Sequence, residues 1–130
     1  MSETWITKPL FGKSLFITAG IMVFNAVLRL MEASTRQLKY LLGWLIAGSR
    51  GGPMRAKMIE SLMGTPQNAN QLATLLEVDY RTIRHHIKLL EKNKMITSVG
   101  QGYGTTYFLS EVLEENYALF EDIRKRMWKK

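Results

Sequence analysis

Apolar positions fall into two regimes along the chain. Residues 10–31 (LFGKSLFITAGIMVFNAVLRLM) carry apolar side chains on every side of a helix, with Leu15, Phe16, Ile17, Ile21, Met22, Val23, Phe24, Val27 and Leu28 at the centre. A helix apolar all round is buried in protein or in a membrane. The uncharged stretch, residues 14–28, is shorter than the ~20 residues a span needs. The full segment reaches that length if Lys13 and Arg29 extend to the interfaces, while Thr18 and Asn25 interrupt its apolar surface. Three readings stay open for it: a membrane span, a buried dimerisation helix and an interfacial anchor. It lacks a small-residue cleavage site, so it is not a signal peptide.

From residue 35 onward the pattern is amphipathic. Leu38, Leu41, Leu42, Leu45 and Ile46 form a helical stripe that predicts a separate helix ending at Gly48. After the turn at Ser49, Arg50, Gly51 and Gly52, Pro53 suits the first turn of a helix over 53–63, with Met54, Met58, Ile59, Leu62 and Met63 on its buried face. Asn68 with Gln71 three residues on approximates a capping box for a short helix over 68–77, whose apolar face is Leu72, Ala73, Leu75 and Leu76. Asp79 caps the next helix, 80–93, with Ile83, Ile87 and Leu90 buried. Residues 95–99 and 105–109 read as strands around the glycine-rich turn 100–104. Ser110 caps a last helix reaching about Trp128, with Leu113, Tyr117, Phe120, Ile123 and Met127 inward.

This order defines the expected fold class: a mainly α winged helix-turn-helix, helices plus a two-stranded β-wing, with an N-terminal hydrophobic helix. The expected division is 1–34 for that helix and 35–130 for the winged helix with its flanking helices. In such an arrangement a short helix braces the second one, whose N-terminal half enters the major groove of DNA.

Composition sharpens the picture. The chain is basic, with 18 Lys+Arg against 11 Asp+Glu and a net charge of +7, which favours nucleic acid or an anionic membrane surface. It has no cysteine, which excludes disulfides and thiolate metal sites. Arg29, Arg36, Lys39, Arg50, Arg55 and Lys57 follow the apolar segment closely, so a span would place the remainder in the cytoplasm.

Candidate chemistry concentrates on the helix over 80–93. Arg81, Thr82, Arg84 and His85 lie off the apolar stripe and are the expected base readers, since arginine bonds guanine O6 and N7 bidentately. Asn70, Gln71, Tyr80, Lys88, Lys92 and, in the wing, Gln101, Tyr103 and Thr105 are the expected partners of the DNA backbone and wing-side phosphates. His86 sits near the apolar stripe and reads as a packing residue. Neither the Gly12-Lys13-Ser14 run nor the three wing glycines has the spacing of a nucleotide-binding loop.

Residues 50–59 (RGGPMRAKMI), 68–73 (NANQLA), 78–87 (VDYRTIRHHI), Tyr103-Gly104 and 107–110 (YFLS) together resemble archaeal winged-helix proteins of the ArsR-like group. The resemblance covers about residues 49–110 and implies a DNA-binding regulator whose recognition helix is the one over 80–93. Metal-sensing members of that group use Cys or His clusters; here there is no Cys, and His85 and His86 point to different faces. The expectation is a sequence-specific, double-stranded-DNA-binding transcription regulator, homodimeric, with membrane association through residues 10–31 one of the open readings of that segment. It is no enzyme and uses no cofactor or metal. The other reading of the same residues is a membrane-associated winged-helix adaptor that binds protein rather than DNA.

Overall fold

The computed structural model describes the backbone of residues 2–128 and the side chains of residues 16–127. Lys13, expected at one edge of the apolar segment, and Trp128, expected near the end of the last helix, have side chains outside that range. The chain divides into two units, residues 1–38 and 39–130.

The first unit is helix throughout its described length. Helix α1 runs Ser2–Leu42 without a break, where the sequence pattern predicts two helices separated near residue 34. No glycine or proline interrupts residues 32–36, so the helical ladder continues, and it accommodates the Thr35 hydroxyl donating to the Met31 carbonyl at 2.9 Å. Residues 16–31 stand exposed, Phe16 at 84% and Met22 at 68%. Residues 16–47 are long and apolar enough to cross a membrane by length and composition.

The second unit begins with the end of α1 and a wide π-helical turn, Gly43–Ala47, closed by Gly48 N donating to Gly43 O at 2.9 Å. Gly51, at φ +87°, reverses the chain into helix α2 (Gly52–Gly64), with Pro53 in its first turn. Helices α3 (Ala69–Leu76) and α4 (Tyr80–Lys92) follow, then strands β1 (Ile96–Val99) and β2 (Thr106–Leu109), and helices α5 (Glu111–Glu115) and α6 (Tyr117–Trp128). The strands pair antiparallel, Ile96 opposite Leu109 and Val99 opposite Thr106. Gln67, between α2 and α3, adds a bridge to Tyr107 on the other side of β2.

The capping residues behave as their chemistry requires. Asn68 and Gln71 close a reciprocal pair at the start of α3, Gln71 N donating to Asn68 Oδ1 and Asn68 N to Gln71 Oε1, both at 2.8 Å. Asn68→Ala removes half of it and is expected to cost about 1 kcal/mol; urea unfolding followed by circular dichroism measures this, and an unchanged midpoint contradicts it. Asp79 and Ser110 cap α4 and α5 one way only, their side chains accepting from the Thr82 and Leu113 amides. The predicted single last helix is instead broken at Asn116, whose side chain donates to Val112 O at 2.9 Å and whose carbonyl accepts from Leu119 N.

The core of this unit gathers Leu42, Leu45, Ile46, Met58, Ile59, Leu62, Leu72, Ile83, Ile87, Leu90, Met95, Leu113 and Phe120. Two expectations change. Met54 is only half-buried, and Met63 and Leu75 are exposed. The α2 position spaced i, i+3, i+4, i+7 with Met58, Ile59 and Leu62 belongs to Arg55, which is 2% exposed.

Candidate nucleic-acid interface

Helix α4 owes its start to Asp79. Its carboxylate accepts from the Thr82 hydroxyl at 2.6 Å and the Thr82 amide at 3.2 Å. These bonds, the hydroxyl foremost, hold the Asp79 carboxyl below its ordinary range. Ile83, His86, Ile87 and Leu90 anchor the helix inward. On the opposite side Arg81, His85, Lys88 and Lys92 are all exposed. Their i, i+4, i+7, i+11 spacing aligns them in one stripe, ~16 Å long at 1.5 Å per residue.

The remaining expected residues divide between two places. Thr82 is half-buried, its hydroxyl committed to Asp79. Arg84 is also half-buried and leaves the stripe: its Nη1 donates to the Tyr107 hydroxyl on β2 at 2.6 Å. Tyr80, Arg84, Gln101, Tyr103 and Thr105 gather with Tyr107 around a cleft of about 420 Å³ between the start of α4 and the wing. The Tyr80 and Tyr103 rings are 6.5 Å apart, and Tyr103 is 82% exposed. The Thr105 hydroxyl donates to Gly102 O at 2.8 Å and shapes the wing tip. On α3, Asn70 and Gln71 are exposed, but the Gln71 side-chain oxygen is used in its cap.

Two residues in this neighbourhood escaped the sequence reading. Tyr107 alternates inward on β2, and a buried tyrosine needs a partner for its hydroxyl; that pattern was its only signal. Arg55 lies beneath α4 instead of in solvent. Its Nε donates to Leu45 O at 2.8 Å, its Nη2 to Arg50 O at 3.3 Å and to the Ser49 hydroxyl, and its Nη1 to His86 Nδ1 at 3.2 Å. The guanidinium thus takes up carbonyls left unpaired where the π-turn ends. Burial first, and the adjacent Arg55 charge second, hold the His86 imidazole below its ordinary value. The neutral ring accepts at Nδ1 from an arginine that can only donate, so its proton sits on Nε2. His86 is therefore buried, as expected, but as one member of a polar network. Among the described residues no group of three His, Cys, Asp or Glu could hold a metal ion.

A basic helix braced by a shorter one and flanked by a two-stranded wing defines a winged-helix transcriptional regulator. Residues 46–115 match the family described as "Methanogenesis regulatory protein FilR1, N-terminal domain", and the chain belongs to that family. Solved structures share the fold. A probable transcriptional regulator from Pseudomonas aeruginosa is 22% identical, with a TM-score of 0.51 over 75% of this chain and 79% of that one. The transcriptional regulator SlyA is 16% identical, with a TM-score of 0.52 over 79% and 75%. A MarR family protein from Bacillus stearothermophilus is 13% identical, with a TM-score of 0.50 over 84% and 74%. No curated protein matches the chain. The family is described as regulatory, and two of these neighbours are named as transcriptional regulators.

Proposed function

We propose that this chain binds double-stranded DNA sequence-specifically as a transcription regulator, with α4 in the major groove. The observation that carries the reading is the exposed stripe Arg81–His85–Lys88–Lys92 beside the wing. Arg81 and His85, in the N-terminal half of α4, address base edges. Lys88 and Lys92 neutralise phosphates, and Asn70, Gln71, Tyr80, Gln101, Tyr103 and Thr105 supply polar contacts to the backbone on either side. Thr82 supports Arg81 through its bond to Asp79.

A duplex enriched from a random-sequence library by the full chain provides the probe. Fluorescence anisotropy is expected to show affinity falling steeply with salt. Arg81→Ala is expected to weaken binding by about 1–3 kcal/mol, or ~5- to 150-fold. Unchanged salt-dependent binding after this substitution sinks the recognition-helix assignment. Affinity no greater than that of an unrelated basic protein favours the adaptor reading, in which the same fold binds a protein.

One recognition helix reads a short half-site, which supports a homodimer; sedimentation equilibrium tests it. The exposed apolar residues 16–31, with cations following, support a tether that leaves the DNA-binding unit in the cytoplasm. Retention in membranes after an alkaline wash is the expected result, and release by salt alone overturns it. The motif set over 49–110 supports placing the chain with archaeal ArsR-like regulators, which a phylogeny of those residues would test.

A further inference from the structure

The position of Arg84 points away from base reading. At 100° per residue it lies off the edge of the Arg81–His85–Lys88–Lys92 stripe, about 40° around α4 from Lys88 and about 60° from Arg81, on the side of the wing. Its guanidinium is pinned there by the Tyr107 hydroxyl at 2.6 Å. Tyr107 is itself immobilised. It is 3% exposed, it faces Ser98 across the sheet, and its backbone exchanges bonds with Gln67, at 2.8 Å from Tyr107 N to Gln67 O and 3.3 Å in return. A rigid strand residue thus sets the place of a flexible helix side chain.

We propose, resting on the DNA-binding reading above, that the cleft between α4 and the wing takes one phosphodiester of the DNA backbone. Arg84 is its cationic ligand, and Tyr107 is the positioning residue that aims Arg84. No acidic residue lines the cleft, so its arginine is not neutralised locally. By contrast, the arginines of α6 are paired, Arg124 with Glu60 and Arg126 with Asp122. A guanidinium has five N–H donors. One bond to Tyr107 leaves others for the two oxygens of a phosphate, a geometry arginine matches bidentately. Around it stand the hydroxyls of Tyr80 and Tyr103, the Gln101 amide and the wing backbone at Gly100 and Gly102. These two glycines have φ +104° and +58°, and a Cβ at Gly100 would come within 2.8 Å of Gly104 O, so the bend there depends on glycine. A phosphodiester runs beside the groove that α4 enters, where such a cleft would meet it.

The assignment separates Arg84 from Arg81 by what each changes. The full chain, kept in non-ionic detergent, is titrated with its library-enriched duplex and with a shuffled duplex of the same composition, over a range of salt. Arg84→Ala is expected to weaken both duplexes about equally, by ~10-fold, and to lower the salt slope by about 1. Tyr107→Phe, with an unchanged thermal transition, is expected to weaken both by a smaller common factor, and to have no further effect once Arg84 is alanine. If Arg84→Ala erases the preference between the two duplexes while wild-type binding is intact, Arg84 reads bases and the proposal falls. It falls equally if Tyr107→Phe acts undiminished in the Arg84→Ala background. Wild-type protein that binds neither duplex overturns the DNA reading, and this assignment with it.

Discussion

Gly52→Ala is expected to abolish the cooperative unfolding of residues 39–130. A Cβ on Gly52 would stand 1.9 Å from the Ile46 carbonyl oxygen and 2.7 Å from its carbon. Both are backbone atoms, so no rotamer change relieves the overlap, which is ~1.5 Å or more short of ordinary contact. The first turn of α2 would have to move off the π-turn, and Leu45 and Ile46, both fully buried, sit in that turn. The expected cost is at least the ~3 kcal/mol at the upper end of overpacking. Gly43→Ala is the control. Nothing lies within 4 Å of its added Cβ, so that variant should be neutral or slightly more stable. Thermal melts monitored by circular dichroism decide the matter: a Gly52→Ala melting curve superimposable on wild type refutes the close approach.

Arg55→Met is expected to be the second most damaging change. Methionine keeps the length and apolar stem but takes the donor from Arg50 O, the Ser49 hydroxyl and His86 Nδ1, and leaves Leu45 O only the longer bond from the Ser49 hydroxyl at 3.3 Å. Depriving these buried and half-buried acceptors of the guanidinium together costs about 3 kcal/mol. Arg55→Lys should recover little of it, because an ammonium cannot span a planar fork of partners.

The same network makes stability depend on pH, with a definite sign. The folded state holds the His86 pKa below its ordinary 6.5, so the unfolded chain binds more protons in the window beneath that value. Stability contributed by neutral His86 is therefore complete above about pH 6.5 and is lost as pH falls through the folded value. The charged or titratable groups beside the ring are Arg55 and His85, and both act to oppose its protonation. Urea midpoints measured from pH 8 to pH 5 should decline on acidification, and His86→Gln should flatten that decline. A wild-type profile with no slope over this range rules the coupling out.

How much of this molecule was legible before folding is considered depends on how far apart the deciding atoms lie. Helix starts were legible because a cap joins residues three apart: Asn68 with Gln71, Asp79 with Thr82, Ser110 with Leu113. So was the wing, because its turn depends on glycine, and so was the inward stripe Ile83, Ile87, Leu90 of α4. The exposed stripe is the complement of that inward one, which is why Arg81, His85, Lys88 and Lys92 stand where periodicity puts them.

Other features had no local signature. At Thr35 and at Asn116 the side chain bonds the carbonyl one turn back, yet α1 continues and the last helix breaks, so the residue type alone did not distinguish the two. Arg55 looked like a surface cation because charge alone suggests solvent; the carbonyls that accept it come from the turn before α2 and its fourth partner from α4, 31 residues away. Arg84 looked like a base reader because it leaves the apolar stripe; only a tyrosine 23 residues on, held by strand pairing, turns it toward the wing. The sequence by itself determined the elements from α2 to β2, their caps and the sign of the exposed face, since these follow from contacts within a few residues. Tertiary structure alone decided which cations are buried, which are tied and which remain free for a partner, because a polar group is committed only where distant backbone brings an acceptor within reach.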